Sequence, residues 1–189
     1  MKNNYYYWFM LRSQESRKNL KECIFLLFFL ISFILLSSTQ SYAQQPITVT
    51  KIVDGDTLKI NYKGQKESIR LIGIDTPERR INRKTKMDAK RSGQDIETII
   101  AMGKRATAYV ESIVKRGDLI TIELDVQERD RYGRLLCYVY LSNGKMLNEE
   151  IVKAGYANVM SIPPDVKYED RFLKAYQDAR ERKIGLWME

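Results

Sequence analysis

The chain has 189 residues, with 32 Lys and Arg against 24 Asp and Glu, a formal net charge of +8 and no histidine. Without imidazole there can be no Ser-His-Asp or Cys-His nucleophile pair, no His-metal site and no histidine general base. The two cysteines, Cys23 and Cys137, are too few for a zinc site built from cysteine alone. Any catalysis must therefore use carboxylates, Arg, Lys, Tyr or a hard cation.

The first 43 residues have the composition of an export signal. Basic residues precede an apolar run of 13 residues, 24–36, which is shorter than the length that spans a bilayer. Ser41-Tyr42-Ala43 follows, and signal peptidases cleave after a segment of this kind, with small residues such as Ala43 and Ser41 at the first and third positions before the cleaved bond. We therefore predict a signal peptide over 1–43, cleaved after Ala43. The alternatives are an uncleaved membrane anchor through residues 24–36 and a start of translation at Met10.

Cleavage at that point would leave one domain over residues 44–189. Removing the leader takes away five basic and two acidic groups, so the net charge falls to +5, and 146 residues are enough for one hydrophobic core. Only Cys137 remains, which excludes an internal disulfide. Because Cys137 lies in the apolar run 135–141, we predict a buried strand and an unreactive thiol.

Three short strands are predicted first. β-branched residues are frequent over 47–53, an Asp-Gly-Asp turn follows at 54–56, and apolar residues alternate with polar ones over 57–62. A third strand is predicted through Ile69, Leu71 and Gly73. Three such strands joined by tight turns form a meander, which closes readily into a small barrel.

Residues 79–91 are predicted to form a cationic surface loop. The segment has seven basic residues against one acid, Asp88, and shows no apolar periodicity. Two interpretations stay open: extra contact with a polyphosphate backbone, or a solvated loop without a defined role.

Helical spacing begins after this segment. Apolar residues recur on one face over 95–114, and this pattern predicts a helix. Two more strands are predicted over 120–124 and 135–141, then two helices over about 147–154 and 168–183. The order of three strands, a helix, two strands and two helices favours an α+β, mainly β domain with an OB-type barrel.

Three short segments place carboxylates and guanidinium groups at the ends of predicted strands: 54–57, 70–78 and 131–134. Each alone is explained by a plain turn, by loop residues after a strand or by a solvated arginine. Together they supply what phosphodiester cleavage requires, namely hard oxygen ligands for a cation such as Ca²⁺ or Mg²⁺, bidentate cationic donors and a base. The candidates are Asp56 and Asp75 as ligands, Arg70 and Arg134 as donors, and Glu78 as the base.

The segments DGDT, RLIGIDTPE and RYGR, followed by Gly185-Leu186-Trp187, resemble the staphylococcal nuclease (thermonuclease) family over roughly 47–187. The resemblance implies an OB-fold, a five-stranded barrel with three helices. It also implies one bound Ca²⁺, held by Asp56, Asp75 and the backbone carbonyl of Thr76. The implied reaction is endonucleolytic cleavage of DNA and RNA that leaves 3′-phosphates.

The same resemblance implies roles for the remaining site residues. Glu78 would activate or orient the water, while Arg70 and Arg134 would stabilise the transition state. Arg131 and Tyr132 match a phosphate-proximal lysine and a tyrosine of the family, and so are candidates for substrate binding. Two tyrosines of the family's nucleotide pocket correspond here to Ser161 and Pro163, a departure that affects binding more than chemistry.

The leading hypothesis is therefore a secreted, calcium-dependent nuclease acting on DNA and RNA, expected to be a monomer with no protein partner. An alternative from another class is a noncatalytic OB-type nucleic-acid-binding domain, exported or membrane-anchored. Such domains usually lose Arg or Glu at the catalytic positions, and this chain keeps Arg70, Glu78 and Arg134. A third hypothesis is a surface-anchored binding protein that uses the positive charge and the uncleaved leader.

Overall fold

Five strands close into a barrel in a computed structural model of the chain, which describes residues 47–188. The barrel strands are Ile47–Ile52 (β1), Thr57–Tyr62 (β2), Gln65–Leu71 (β3), Leu119–Arg129 (β5) and Leu135–Leu141 (β6). They neighbour one another in the order β1-β2-β3-β6-β5, and every pair is antiparallel except β3 with β6. The predicted five-stranded barrel is confirmed.

The predicted leader lies outside the described residues. Cleavage after Ala43, the anchor through residues 24–36, the start at Met10 and the domain boundary at 44 all stay predictions. Within residues 47–188, no helix combines the length and the apolar character that crossing a membrane requires.

Alternation along the strands fills the barrel with apolar side chains. In β2, Leu58 and Ile60 are buried whereas Lys59 is exposed, because successive side chains point to opposite faces. Strand β6 is buried more continuously, since the helix Leu147–Lys153 packs against it, and Cys137 and Val139 are fully buried. The core therefore fills the barrel and continues between its strands and the helices that pack on them.

The prediction of one continuous third strand through Gly73 is wrong. Strand β3 ends at Leu71, and Gly73–Asp75 forms a separate short strand, β4, which pairs antiparallel with Asn158–Met160 (β7) outside the barrel. Gly73 has a φ of +78°, and a Cβ there would lie 2.6 Å from the ring of Phe172. The chain therefore bends out of the barrel where only glycine fits, and this bend directs Asp75 away from β3.

The prediction of a loop over residues 79–91 is also wrong, because Arg83–Ser92 forms a helix, α1. Asn82 Oδ1 accepts a hydrogen bond from the backbone N–H of Thr85, and Thr85 Oγ1 accepts one from the backbone N–H of Asn82. Gly93, with a φ of +75°, ends the helix in the left-handed conformation. The prediction failed because it depended on an apolar stripe, whereas this helix buries only Thr85 and is defined by its caps.

The three predicted helices are present at nearly the predicted bounds. They are Ile96–Ile113 (α2), Leu147–Lys153 (α3) and Glu169–Glu181 (α4), and a short 3₁₀ turn follows at Gly185–Trp187. Asp95 caps α2 by accepting a hydrogen bond from the backbone N–H of Thr98 at 2.7 Å. With α1, the described part of the chain has four α-helices rather than the three expected.

Burial makes Cys137 an unreactive thiol. It is 0% exposed in β6, and burial raises its pKa to about 12. In a Cys23→Ser variant, we expect no reaction with a thiol reagent in the native state and one equivalent after unfolding in guanidinium, because a buried protonated thiol is a poor nucleophile. Absorbance with Ellman's reagent measures this. Rapid labelling of the native protein would contradict the buried position.

Candidate active site

Arg70 joins the two carboxylates that were predicted as metal ligands. Its Nη2 donates to Asp75 Oδ1 at 2.8 Å and to the carbonyl oxygen of Ile74 at 3.2 Å, and its Nη1 pairs with Asp56 Oδ1. The register of β2 and β3 sets Thr57 opposite Arg70, so Arg70 lies beside the turn that carries Asp56. Three predicted site residues therefore form one ion-paired cluster, which we call the Arg70 cluster, consisting of Asp56, Arg70 and Asp75.

The Asp-Gly-Asp turn holds Asp56 against Thr76. Thr76 donates to Asp56 Oδ2 through its backbone N–H at 2.8 Å and its hydroxyl at 3.0 Å, while Thr57 Oγ1 donates to Asp56 Oδ1 at 3.1 Å. A Cβ at Gly55 would lie 2.8 Å from Thr76 Oγ1, so glycine permits this approach. Asp56 is 3% exposed. The Asp-Gly-Asp segment is therefore more than a surface turn, because two hydrogen bonds join it to Thr76, 20 residues later in the chain.

Burial shifts the pKa of two charged groups here. It raises the pKa of Asp54 above the ordinary value of 3.8, against a hydrogen bond from Thr57 and the charges of Arg70 and Arg134. It lowers the pKa of Arg70, while the charge and hydrogen bond of Asp75 oppose that change. Arg70 stays cationic, because the pKa of a guanidinium lies far above neutrality. Buried groups of opposite charge with shifted pKa values, such as Asp54 and Arg70, are frequent in functional sites.

The first turn of α1 holds the carboxylate of Glu78. Asn82 Nδ2 donates to Glu78 Oε2 at 2.8 Å, and Lys84 Nζ lies 3.7 Å from Oε1. The same Nζ lies 3.2 Å from Asp75 Oδ2 and donates to the carbonyl oxygen of Thr76 at 2.9 Å. Lys84 therefore connects the predicted base to the predicted metal ligands.

Helix α2 packs directly on the backbone of Glu78. A Cβ at Gly103, in the middle of α2, would lie 2.3 Å from the carbonyl carbon and oxygen of Glu78 and 2.7 Å from the backbone nitrogen of Arg79. Glycine in a helix interior is about 1 kcal/mol less favourable than alanine. The close approach explains why glycine occupies position 103, since a larger residue would push the backbone of Glu78 away from the helix.

A Gly103→Ala substitution tests that contact. Helix propensity alone predicts stabilisation by about 1 kcal/mol, whereas overpacking predicts destabilisation by about 1–3 kcal/mol and a displaced Glu78. We expect the second result. Urea denaturation monitored by circular dichroism gives the change in the free energy of unfolding. A stabilised variant would show that α2 does not press on the backbone of Glu78.

Arg134 lies at the edge of the Arg70 cluster and is held by Asp130. Its Nε and Nη2 contact Asp130 Oδ2 at 2.8 and 2.7 Å, and its Nη1 lies 3.4 Å from Thr57 Oγ1. Partial burial raises the pKa of Asp130, but hydrogen bonds from Arg134 and Tyr132 lower it overall. Asp130 is thus a positioning residue that was not predicted. Its signal in the sequence is an acid four residues before an arginine, just ahead of the strand predicted over 135–141.

Arg131 and Tyr132 lie on the solvent side of Arg134, in the turn between β5 and β6. Arg131 Nη2 donates to the Tyr132 hydroxyl at 2.8 Å, and the guanidinium carbons of Arg131 and Arg134 lie 4.9 and 5.6 Å from the centroid of the Tyr132 ring. Tyr132 is 69% exposed. Both residues are therefore placed beside the cluster rather than within it, and their predicted role in substrate binding stays a prediction.

The carboxylates of the Arg70 cluster and the neighbouring carbonyl oxygen of Thr76 suit a hard divalent cation. Asp56, Asp75 and the carbonyl oxygen of Thr76 are donors of the kind that Ca²⁺ takes, and the Lys84 ammonium already contacts two of them. Among residues 47–188, no three Asp, Glu or Cys side chains are grouped closely enough to hold an ion. Two carboxylates and one backbone carbonyl are therefore the oxygen ligands that these residues could offer to such an ion, and water would have to supply the others.

Sequence reasoning did not identify Asn82, Lys84 or Gly103. The signal for Asn82 is its spacing from Thr85, which matches a capping box, and the signal for Lys84 is its position four residues before Asp88. Neither signal indicates that the helix turns its first residues toward Glu78. That position depends on tertiary packing.

Several known proteins and one family model are similar to most of this chain. A model described as "Staphylococcal nuclease homologue" matches residues 68–189. Thermonuclease of Staphylococcus hyicus is 31% identical over 144 residues, which cover 76% of each chain. SPbeta prophage-derived endonuclease YokF of Bacillus subtilis (strain 168) is 36% identical over 143 residues, 75% of this chain and 43% of YokF.

Endonuclease YncB of the same Bacillus strain is 34% identical over 143 residues, which cover 75% of this chain and 61% of YncB. The chain therefore spans less than two thirds of the length of the two Bacillus proteins, but about three quarters of the staphylococcal one. The family model includes Arg70, Asp75, Glu78 and Arg134. A match over 144 residues of this 189-residue chain necessarily also includes Asp56, and therefore the whole Arg70 cluster. The chain belongs to the staphylococcal nuclease family.

Proposed function

We propose that the chain is a secreted, calcium-dependent nuclease that hydrolyses phosphodiester bonds within DNA and RNA and leaves 3′-phosphates. The observation that carries the proposal is the Arg70 cluster, to which Lys84 links Glu78. The names of the relatives, a thermonuclease and two endonucleases, support a nuclease. Calcium, the two substrates and the 3′-phosphate products follow from the family resemblance.

The chain's own side chains would divide the work of hydrolysis. Glu78 takes a proton from the water whose oxygen attacks the phosphorus. Arg70 and Arg134 donate hydrogen bonds to the phosphoryl oxygens, because a guanidinium fork matches two oxygens and offsets their growing charge. As the bond to the 5′ oxygen breaks, Arg134 also stabilises that leaving oxygen.

Asp56, Asp75 and the carbonyl oxygen of Thr76 would hold the calcium ion. When bound, calcium would polarise a phosphoryl oxygen and offset its negative charge. The chain orients these oxygens beforehand, since Thr76 donates two hydrogen bonds to Asp56 and Arg70 contacts both carboxylates. Loss of either support would loosen the ligands before the substrate arrives.

Exposed groups beside the cluster would bind the nucleic acid. Arg131 offers a cation for phosphate, and the ring of Tyr132 offers a face for a base or sugar. Helix α1, which follows Glu78 in the chain, adds a row of exposed basic side chains, so we expect an affinity for nucleic acid that falls as the salt concentration rises.

Digestion of plasmid DNA and of RNA with Ca²⁺, Mg²⁺ or EDTA, followed by end-group analysis, tests the proposal. We expect internal cleavage with Ca²⁺, none in EDTA, and fragments that end in 3′-phosphates. Binding of nucleic acid without cleavage in every condition would favour the noncatalytic alternative. Cleavage that EDTA does not reduce would overturn the dependence on a cation.

We also propose export through cleavage after Ala43, supported by the composition of the leader. The intact mass of the exported protein tests this. A chain beginning at Gln44 is expected, whereas a mass that includes residues 24–36 would support the membrane-anchored alternative.

A further inference from the structure

We propose that Lys84 is an internal cation of the active site, which competes with the divalent ion for Asp75 and Thr76 and must leave them when the ion binds. This inference rests on the proposed function, because it concerns the same three ligands. It goes beyond that function by assigning to α1, the helix that the sequence did not predict, a direct influence on metal affinity.

The ammonium of Lys84 is surrounded by oxygen atoms. Its Nζ donates to the carbonyl oxygen of Thr76 at 2.9 Å, and it lies 3.2 Å from Asp75 Oδ2, 3.4 Å from Asp88 Oδ2 and 3.7 Å from Glu78 Oε1. An exposed lysine usually pairs with one carboxylate and gains little from it. Lys84 is only 33% exposed and contacts three carboxylates and a backbone carbonyl.

The start of α1 is fixed, so Lys84 is directed into the site. The capping box between Asn82 and Thr85 defines the first turn, and Asn82 Nδ2 also donates to Glu78 Oε2. Thr85 is fully buried, and its hydroxyl donates to the carbonyl oxygen of Arg80 at 2.7 Å. The backbone of Lys84 is therefore held on both sides, and only its flexible side chain can withdraw.

Calcium and the Lys84 ammonium cannot occupy the same ligands at the same time. Calcium binds oxygen at about 2.3–2.6 Å, so an ion held by Asp75 and the Thr76 carbonyl would come too close to an ammonium that contacts the same two residues. Two cations this close, in a half-buried site, repel strongly. The four-carbon stem allows Lys84 to move, and Asp88, one helical turn later, can keep the displaced ammonium paired.

Calcium titration of the purified chain without nucleic acid tests this competition. Lys84→Met removes the charge and keeps the stem, and Lys84→Gln removes the charge and keeps a donor for Thr76. Lys86→Met is the matched control, since Lys86 is exposed on the same helix and its loss changes the net charge equally. Isothermal titration calorimetry gives the Kd, and circular dichroism in EDTA checks that each variant is folded.

We expect both Lys84 variants to bind Ca²⁺ about tenfold more tightly than the wild type, within the usual range for coupling between two ligands. Lys86→Met should change the Kd less than about twofold, because exposed charges are screened. Equal tightening by Lys84→Met and Lys86→Met would overturn the proposal, because the effect would then be one of net charge. Weaker binding by both Lys84 variants would also overturn it and make Lys84 a support for the ligands.

The failure of this proposal can be distinguished from failure of the proposed function. A wild type that cleaves only with Ca²⁺, but whose Lys84 variants keep its Kd, would overturn the competition and leave the nuclease function standing. Absence of Ca²⁺ binding by the wild type and by every variant would overturn both. Ca²⁺ binding by the Lys84 variants, with none detected for the wild type, would support the competition and would mean that Lys84 excludes the ion almost completely.

Discussion

Replacing Glu78 with glutamine is expected to lower kcat by about 10²- to 10⁴-fold, because an amide cannot take a proton from the attacking water. The fold should be kept, since the amide oxygen can still accept the hydrogen bond from Asn82 Nδ2 that the carboxylate accepts. KM should change little, because the substituted group acts on water and not on the substrate. Steady-state kinetics on a defined oligonucleotide with Ca²⁺, together with thermal melting, measures these quantities.

The matched control is Glu181→Gln, because Glu181 is exposed at the end of α4 and its substitution makes the same chemical change. Its kcat should equal that of the wild type. If Glu78→Gln also turns over at the wild-type rate, the base must be another group.

Replacing Arg134 with lysine is expected to lower kcat by about 10²- to 10³-fold, the usual cost of one lost donor to a developing anion. The guanidinium contacts Asp130 with Nε and Nη2 while Nη1 points toward Thr57. A single ammonium cannot remain on Asp130 and also reach a phosphoryl oxygen. We expect kcat and kcat/KM to fall together, because the lost hydrogen bond belongs to the transition state.

Arg129→Lys is the control, because Arg129 forms a comparable fork on Glu67, at 2.8 and 3.0 Å, and belongs to the same hairpin. Its kcat should stay at the wild-type value. An equal loss of activity in both variants would indicate that the hairpin as a whole, and not the Arg134 fork, is responsible. Asp130→Asn should show a smaller loss than Arg134→Lys, since it weakens the anchor and keeps the guanidinium.

The barrel strands could be predicted because each shows its pattern of apolar residues within a short stretch of the sequence. Strand β2 alternates buried Leu58 and Ile60 with polar neighbours, and an apolar run marks β6, so the period of two was visible in the sequence. The short strands β4 and β7 carry no such pattern. Each has three residues, and their pairing depends on a bend at Gly73, where the ring of Phe172 leaves no room for a Cβ.

The members of the Arg70 cluster could be named for a different reason. Asp56, Arg70 and Asp75 lie in short motifs whose chemistry is recognisable, but nothing in the motifs states that one guanidinium contacts both carboxylates. Lys84 shows the limit of such reasoning. Its charge was counted with the other basic residues of its segment, and only the turn of α1 distinguishes it from exposed neighbours such as Lys86.

The pairing of β4 with β7 has a consequence for how the chain is made. Every proposed catalytic, metal-binding and substrate-binding residue, from Asp56 to Arg134, precedes Asn158, which is the backbone partner of Asp75. A translation product that stops before Asn158 would carry all of these residues and lack the strand that holds Asp75 in place. Completion of the site is thereby linked to synthesis of the chain through β7, because Asp75 gains its backbone partner only then.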